Sequence, residues 1–151
     1  MTNRIDAGFK LESREHIDAF LASYLAPLRI SAVADNGFPL ICSLWFEYAD
    51  GALWCATKKQ AKIVEVLEKN PKCAFELAPN EPPYFGVRGQ AEASIHQENA
   101  GALLERLIDK YLGTRDSSLA LNLLKRVADE VAIRIDPVSV YSWDYRSRMQ
   151  A

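Results

Sequence analysis

The chain has 151 residues and a mass of 16.9 kDa, the size of one domain with its own hydrophobic core. Hydrophobic residues make up 49% and charged residues 25%, a balance that is typical of globular proteins and excludes a disordered chain. The formal charge of −2 gives no indication of nucleic acid or of an anionic membrane as a partner. No apolar run approaches the roughly 18 residues that cross a bilayer, and no apolar stretch follows the first charged residues. We therefore expect a cytoplasmic protein in which residues 1–151 form a single domain.

The cysteines and histidines are too few and too scattered to indicate a metal site. Cys42, Cys55 and Cys73 lie far apart, each inside an apolar run, and the two histidines are His16 and His96. A zinc site needs about four such ligands at short spacings, so we expect no metal. We interpret all three cysteines as buried thiols, because free cysteine is among the most frequently buried residues.

The first predicted elements are a helix and three strands. Apolar residues recur at helical spacing from Ser13 to Ala26, with Ser13 as N-cap and Pro27 as the stop. Three β-type runs follow, at about 28–34, 39–48 and 52–57. The dipeptides between them, Asn36-Gly37 and Asp50-Gly51, both suit tight hairpin turns, which predicts a three-stranded antiparallel meander.

The middle of the chain predicts a helix and two more strands. An amphipathic helix is expected over 59–69, ended by Asn70-Pro71. Apolar and polar residues then alternate over 72–78 and over 84–95, as expected for half-buried strands. A rigid proline-rich loop, 79–83, joins the two.

The last third predicts two helices, about 98–112 and 116–128, with Gly113 as the positive-φ residue that ends the first. Two strands, 130–136 and 138–145, follow and are separated at Asp136-Pro137. Strands with inserted helices, rather than strict alternation, favour a small closed barrel with helices packed outside.

The familiar catalytic motifs are absent: the sequence has no G-x-S-x-G, P-loop, G-x-G-x-x-G or H-E-x-x-H. His96 and Glu98 stand at the start of a predicted helix, where we interpret them as capping residues. Because no nucleophile with a base is evident, a bound cofactor could carry the reactivity.

One segment has the composition of an anion site. Thr57-Lys58-Lys59-Gln60-Ala61-Lys62 leads from the end of a strand into the start of a helix. Amides at a helix N-terminus, a hydroxyl and lysines within one turn together favour phosphate as a ligand. The simpler interpretation is a solvated lysine face on an ordinary surface helix.

Two further segments are open to a functional and a structural interpretation. In the stretch 81–90, Gly86 and Gly89 lie in a strand, where glycine often marks close approach by a ligand or another backbone. Tyr84 and Arg88 share one side of this strand, and a salt bridge with a bulge is the structural alternative. The C-terminal stretch 141–148 is either edge-strand packing or a stacking surface closed by arginine: it contains Trp143, Tyr145, Arg146 and Arg148.

In this order, the segments resemble the pyridoxamine 5′-phosphate oxidase-like family, the FMN-binding split barrels, in its short-chain branch. The resemblance extends from about Leu28 to Arg148, and no single motif carries it alone. The matching motifs are Ile30-Ser31-Ala32-Val33-Ala34, Asn36-Gly37-Phe38-Pro39, Trp45-Phe46, Leu53-Trp54-Cys55-Ala56-Thr57, Lys62, Leu67-Glu68-Lys69-Asn70-Pro71, Gly86-Val87-Arg88-Gly89, and the tail from Glu130-Val131-Ala132-Ile133-Arg134-Ile135 to Trp143-Asp144.

The resemblance implies a mainly β (α+β) fold, a six- to seven-stranded antiparallel split β-barrel with peripheral helices. It also implies FMN as cofactor, a homodimer with the cofactor at its interface, and hydride transfer through the flavin to or from a small-molecule substrate. The implied cofactor-binding residues form three groups. Cys42, Ser43, Leu44 and Trp45 would run alongside the flavin ring; Thr57, Lys59, Gln60 and Lys62 would hold the phosphate; Tyr84, Arg88 and Trp143, with Arg146 or Arg148, would approach the ring or ribityl chain and complete the site.

The chain also departs from the family pattern. The family's phosphate loop often reads Ser-Arg-Lys, where this chain has Ala61-Lys62-Ile63, and the C-terminal Arg146-Ser147-Arg148 lacks the histidine of the true oxidase. We therefore do not expect a true pyridoxamine phosphate oxidase. Two alternatives remain: a non-catalytic protein that binds a deazaflavin coenzyme or haem, with His16 or His96 as the axial ligand, and a structural dimer whose site has decayed.

Overall fold

The structure, a computed structural model, describes residues 4–6 and 13–149, so the expectation drawn from the first residues of the chain falls mainly outside it. The helices are α1 (Arg14–Ser23), α2 (Lys62–Lys69), α3 (Ala100–Leu112) and α4 (Ser118–Leu124). The strands are β1 (Arg4–Asp6), β2 (Leu28–Val33), β3 (Pro39–Leu44), β4 (Phe46–Ala49), β5 (Ala52–Lys58), β6 (Lys72–Leu77), β7 (Phe85–His96) and β8 (Glu130–Asp144).

A single curled sheet forms the centre of the molecule. Seven strands are antiparallel to their neighbours, in the order β3-β2-β6-β7-β8-β5-β4, and the short β1 pairs parallel with β8. β3 and β4 are the two edges of this order, yet only Trp45 separates them in sequence. The sheet therefore curls until its edges meet at Trp45, which confirms the predicted split-barrel architecture with peripheral helices.

The predicted three-stranded meander is wrong, although both of its hairpin turns form. Gly37 (φ 80°), Asp50 (φ 54°) and Gly51 (φ 71°) adopt the positive φ values that such turns require. The run 39–48, however, is not one strand. Its first part pairs with β2 and its second part with β5, because the chain bends at Trp45 from one edge of the sheet to the other.

Three element boundaries differ from the prediction. α1 begins after Ser13, whose hydroxyl accepts from the His16 amide as predicted, but it ends at Ser23, before Pro27 can stop it. α2 begins at Lys62, because residues 59–60 form a turn. The helix predicted over 116–128 is shorter: α4 ends at Leu124 and is followed by a short 3-10 turn at Val127–Asp129.

The final strand is continuous, whereas two strands were predicted. The β7–β8 register shifts by one residue, so that Gln90 lies opposite Ser139 and Ala91 opposite Pro137. Val138 is the extra residue of this bulge, and 43% of its surface is exposed. The bulge absorbs the missing amide of Pro137, so the proline does not break the strand.

The main core fills the inside of the curled sheet. Its fully buried side chains include Phe46, Leu53 and Ile133, closed by Ile17 of α1 and Val64 of α2. α3 and α4 pack on the other side of β5 and β8. No helix in the described part of the chain is long and apolar enough to span a membrane.

Candidate functional site

A cavity of about 370 Å³ brings together four of the predicted cofactor-binding residues. Ser43, Leu44 and Trp45 line it from the end of β3 and the bend, and Thr57 lines it from β5. α3 and α4 close the opposite wall with the leucines Leu104, Leu107, Leu119 and Leu123.

The cavity exists because the two edges of the sheet diverge there. β4 pairs with β5 only as far as the couple Phe46–Cys55, whereas β8 accompanies β5 to Lys58. Within the described residues, the end of β5 has therefore no strand on its β4 side, and β3 has none beyond β2. Two strand edges face an opening, and unpaired edges offer backbone donors and acceptors to a ligand.

Trp45 is held in the cavity wall by α3. Its ring stacks on the Tyr111 ring at a centroid distance of 5.0 Å and an interplanar angle of 4°. The Tyr111 hydroxyl donates to the carbonyl of Ala26 at 2.9 Å and accepts from the amide of Phe46 at 3.3 Å. Burial raises the pKa of Tyr111 to about 12. Tyr111, which is distant in sequence, thus stabilises the bend at Trp45.

Cys42, also predicted for the site, is not among the residues that line the cavity. It lies in β3, and its half-buried side chain packs against the core. Cys55 and Cys73 are buried, as predicted, but the prediction is wrong for Cys42, which is only half-buried because it lies in an edge strand. Burial raises the pKa of all three thiols, to about 12 for Cys73. Neutral thiols of this kind are poor nucleophiles.

The lysine-rich segment lies at the mouth of the cavity. Lys58 and Ala61 are lining residues, and the Lys59 amide donates to the carbonyl of Asp129 at 2.8 Å. The side chains of Lys59 and Gln60 are exposed. Ala61 is the N-cap of α2 and has no side-chain oxygen to satisfy the first amides of the helix.

Lys62, the first residue of α2, is engaged in a surface ion pair. Its Nζ donates to Glu65 at 3.0 Å, and Glu65 also accepts from Lys69 at 3.4 Å. These lysines hold the pKa of Glu65 below its usual value. A phosphate at this turn therefore has to compete with Glu65 for Lys62.

The remaining predicted site residues form a second cluster, at the junction of β7 with the C-terminal end of β8. The Arg88 guanidinium lies 5.6 Å from the centroid of the Trp143 ring, and the Tyr145 amide donates to the carbonyl of Tyr84 at 2.8 Å. Arg146 lies over the Phe85 ring at 4.3 Å, and Arg148 lies near Tyr145 at 5.9 Å from its ring centroid.

Arg146 also forms an ion pair with Asp144, in which Nε donates at 2.8 Å, and this pair lowers the pKa of Asp144. Arg88 lines a separate groove of about 360 Å³, together with Ser31 and Ile41 on the outer face of the sheet. Within one chain, the structure does not bring this second cluster to the cavity that contains Thr57.

The two strand glycines of β7 mark close approach by the protein itself. A Cβ at Gly89 would lie 2.7 Å from the Phe75 ring and against the carbonyl of Ser139. A Cβ at Gly86 would lie 2.7 Å from the Trp143 ring. The glycines thus mark close approach by the protein's own backbone and rings, and the bulge of the structural alternative forms beside them, between Gln90 and Ala91.

The interpretation of His96 and Glu98 as capping residues is wrong. α3 has Asn99 at its N-cap, with φ 61° and no side-chain cap hydrogen bond. The His96 ring instead lies 2.8 Å from the Ser94 hydroxyl. Neither His16 nor His96 is among the residues that line the cavity. Among the described residues, no three His, Cys, Asp or Glu side chains are grouped to hold a metal ion.

Sequence reasoning missed Glu130, which also lines the cavity. This first residue of β8 is only 9% exposed, and burial raises the pKa of its carboxyl. The signal in the sequence was an acidic residue in the first position of the apolar strand 130–136. The cavity-lining leucines of α3 and α4 were predicted as helix residues but not as part of a site.

No protein-family model and no curated protein sequence matches the chain. Solved structures do. A conserved hypothetical protein from Mycobacterium tuberculosis is 20% identical with a TM-score of 0.80, covering 99% of this chain and 94% of its own. An F420 reductase is 23% identical with a TM-score of 0.62, covering 80% and 92%.

A protein from Listeria innocua, provisionally named a pyridoxamine 5′-phosphate oxidase, is 18% identical with a TM-score of 0.64, covering 85% of this chain and 95% of its own. Other neighbours are a haem storage protein from Vibrio cholerae and an FAD-binding protein from Mesorhizobium loti, with TM-scores of 0.59 and 0.62. The structural neighbours are thus pyridoxamine 5′-phosphate oxidase-like split-barrel proteins, and the chain has their fold.

Proposed function

We propose that the protein binds FMN in the cavity between β3 and β5 and acts as an oxidoreductase on a small-molecule substrate. One observation carries this proposal: residues that the resemblance assigned to the flavin ring (Ser43, Leu44 and Trp45) and to the phosphate (Thr57) come from separate strands and line one cavity. The fold neighbours include proteins named as an F420 reductase and as an FAD-binding protein, which supports a flavin-type cofactor.

The chemistry of the cavity fits such a ligand. Apolar and aromatic walls with a few polar groups are typical of cofactor sites, and about 370 Å³ lies within their usual range. The mouth begins at Lys58 and continues into the start of α2, where backbone amides and Lys62 favour a phosphate. Lys59 and Lys62 together balance the charge of a phosphate monoester.

FMN held in this cavity would supply hydride-transfer chemistry, which asks for no titrating side chain from the protein. The protein's own residues supply position and exclude water. The strand edges of β3 and β5 would hold the cofactor through backbone hydrogen bonds, and the leucines of α3 and α4, which line the opposite wall, would exclude water from it. A role for the protein in binding and for the cofactor in the reaction is consistent with a sequence that has no catalytic motif.

We also propose that the protein forms a homodimer, as the resemblance implies. The hairpin of β2 and β3 exposes three large apolar side chains, Val33 (48%), Phe38 (73%) and Ile41 (66%), beside the outer groove that Arg88 lines. Exposed apolar groups clustered in this way are typical of interaction surfaces. Light scattering coupled to gel filtration should give twice the mass of one chain, and a monomer at micromolar concentration would contradict this part of the proposal.

The FMN site is tested by titration of the apoprotein with FMN, comparing Lys62→Ala with the matched control Lys69→Ala. Both lysines are exposed, belong to α2 and pair with Glu65, but only Lys62 lies at the N-terminus of the helix. A charged hydrogen bond to phosphate contributes about 1.5–3 kcal/mol, so Lys62→Ala should weaken binding roughly tenfold or more and Lys69→Ala should not. Equal affinities in the two variants would refute the phosphate assignment.

The same titration, with other ligands, separates the alternatives. Retention of a deazaflavin coenzyme in place of FMN would keep the site and change the cofactor. A haem spectrum that is lost in His96→Ala or His16→Ala would favour the haem alternative, which has no histidine in the cavity wall to support it.

A further inference from the structure

Glu130 places a carboxyl at the end of the cavity that is assigned to the phosphate. Lys58 lies opposite it in the β5–β8 register. The Lys59 amide donates to the carbonyl of Asp129, the preceding residue, at 2.8 Å. These pairings fix Glu130 beside the lysine-rich segment, where it lines the cavity together with Thr57 and is only 9% exposed. An acidic side chain therefore lies where the proposed ligand carries its negative charge.

The surroundings of Glu130 favour the protonated form of its carboxyl. Burial is the main cause that raises the pKa of this carboxyl, and the charge of Asp129 also raises it. Lys58 and Arg126 act in the opposite direction, from exposed positions. The cavity wall formed by α3 and α4 consists of leucines, which carry no charge. Glu130 thus takes up a proton more readily than an exposed glutamate does.

A bound phosphate would add to the negative charge at this place. A phosphate monoester carries nearly two negative charges at neutral pH. Lys59 and Lys62 balance them in the proposed site, although Lys62 is also paired with Glu65. The carboxylate of Glu130 is then a further negative charge beside the phosphate. Two anions held close together in one site share a proton, because the ionisation of one disfavours that of the other.

We infer that Glu130 and the cofactor phosphate share one proton, so that FMN binding takes up a proton and weakens as the pH rises. This inference rests on the proposed FMN site. The proton comes from the solvent and joins a carboxyl oxygen of Glu130 to a phosphate oxygen in a hydrogen bond, and no other bond forms or breaks. A site of lysines and amides alone would behave in the opposite way, because it favours the phosphate that has lost its second proton, at a pH of about 6.

The test compares the FMN affinity of the wild type, Glu130→Gln and the matched control Asp129→Asn between about pH 6 and pH 8. The control removes a carboxylate from the adjacent, exposed residue. In the wild type, the affinity should fall about tenfold or more across this range. Glu130→Gln should lose most of this decrease and bind FMN more tightly than the wild type at the upper end of the range. Asp129→Asn should keep most of the decrease.

A second measurement uses the wild-type protein alone, in case Glu130→Gln does not fold. Calorimetric titration with FMN, in two buffers that differ in their enthalpy of ionisation, gives the number of protons taken up, which should approach one per FMN. Release of protons or none taken up, or a decrease with pH that persists in Glu130→Gln, overturns the role of Glu130 and leaves the FMN site standing. If the wild type does not bind FMN at any pH tested, the FMN site itself is wrong, and this inference falls with it.

Discussion

Replacement of Tyr111 by Phe tests whether α3 holds the bend that forms the cavity. The change removes one hydroxyl and keeps the ring that stacks on Trp45 at 5.0 Å. Two contacts are lost: the donation to the carbonyl of Ala26 at 2.9 Å and the acceptance from the amide of Phe46 at 3.3 Å. A net hydrogen bond is worth about 1 kcal/mol, and a donor left unsatisfied costs about 1–3 kcal/mol.

We therefore expect Tyr111→Phe to reduce the free energy of unfolding by about 2–3 kcal/mol. For a chain of this size, that corresponds to a decrease in Tm of roughly 4–12 °C. Urea unfolding and calorimetry measure both quantities. The matched control is Tyr24→Phe, another half-buried tyrosine, whose hydroxyl has no hydrogen-bond partner in the described part of the chain.

The control should change stability by less than about 0.5 kcal/mol. If Tyr111→Phe were no more destabilising than Tyr24→Phe, the hydroxyl would not stabilise the bend, and this account of the cavity wall would be refuted. FMN affinity should fall less in Tyr111→Phe than in Tyr111→Leu, because only the second change removes the ring beneath Trp45.

Three further predictions follow from other contacts. Gly89→Ala forces a Cβ against the buried Phe75 ring and should cost at least about 2 kcal/mol by denaturant unfolding; full stability would contradict the packing. Glu65→Gln releases Lys62 and should tighten FMN binding about two- to fivefold, an effect absent in a Lys62→Ala background. Burial raises the pKa of the Glu130 carboxyl in the folded protein above its value in the unfolded chain. Ionisation of this carboxyl therefore lowers the free energy of unfolding at high pH. The apoprotein of Glu130→Gln should therefore be more stable than wild type at pH 8, and this gain should shrink as the pH falls towards the unfolded pKa of a glutamate; a gain independent of pH would exclude ionisation as the cause.

Local chemistry explains the elements that the sequence predicted well. Asn36-Gly37 and Asp50-Gly51 tolerate positive φ, Ser13 caps a helix, and Gly113 ends one with φ 68°. Each of these signals acts within a few residues, so the sequence alone was sufficient to place it.

The bend at Trp45 depends on contacts that no local pattern contains. The run 39–48 is continuously strand-like, and the residue that satisfies the bend, Tyr111, lies far along the chain in α3. The bulge at Val138 is similar, since only the partner strand β7 shows how Pro137 is accommodated. The failed meander and the wrongly divided final strand both result from tertiary pairing that overrides local preference.

The candidate site was predictable in part for the same reason. Thr57 and Ser43 were found because the order of motifs along the chain resembled a known family. Glu130 was not, because its burial arises only when β8 pairs with β5 and the helices cover the opening. The Arg88 and Trp143 cluster was predicted as part of one site, but it lies on another face, and only the proposed second copy would give it a role there.

The central claim is that this cavity binds FMN, and an absorption spectrum tests it most directly. Purified protein is incubated with excess FMN, desalted and scanned through the near-ultraviolet and visible range, with Lys69→Ala treated in parallel as a variant expected to retain FMN. We predict that the paired flavin bands stay with the wild-type protein and with Lys69→Ala and are lost or strongly reduced in Lys62→Ala. A wild-type protein that elutes colourless would contradict the account.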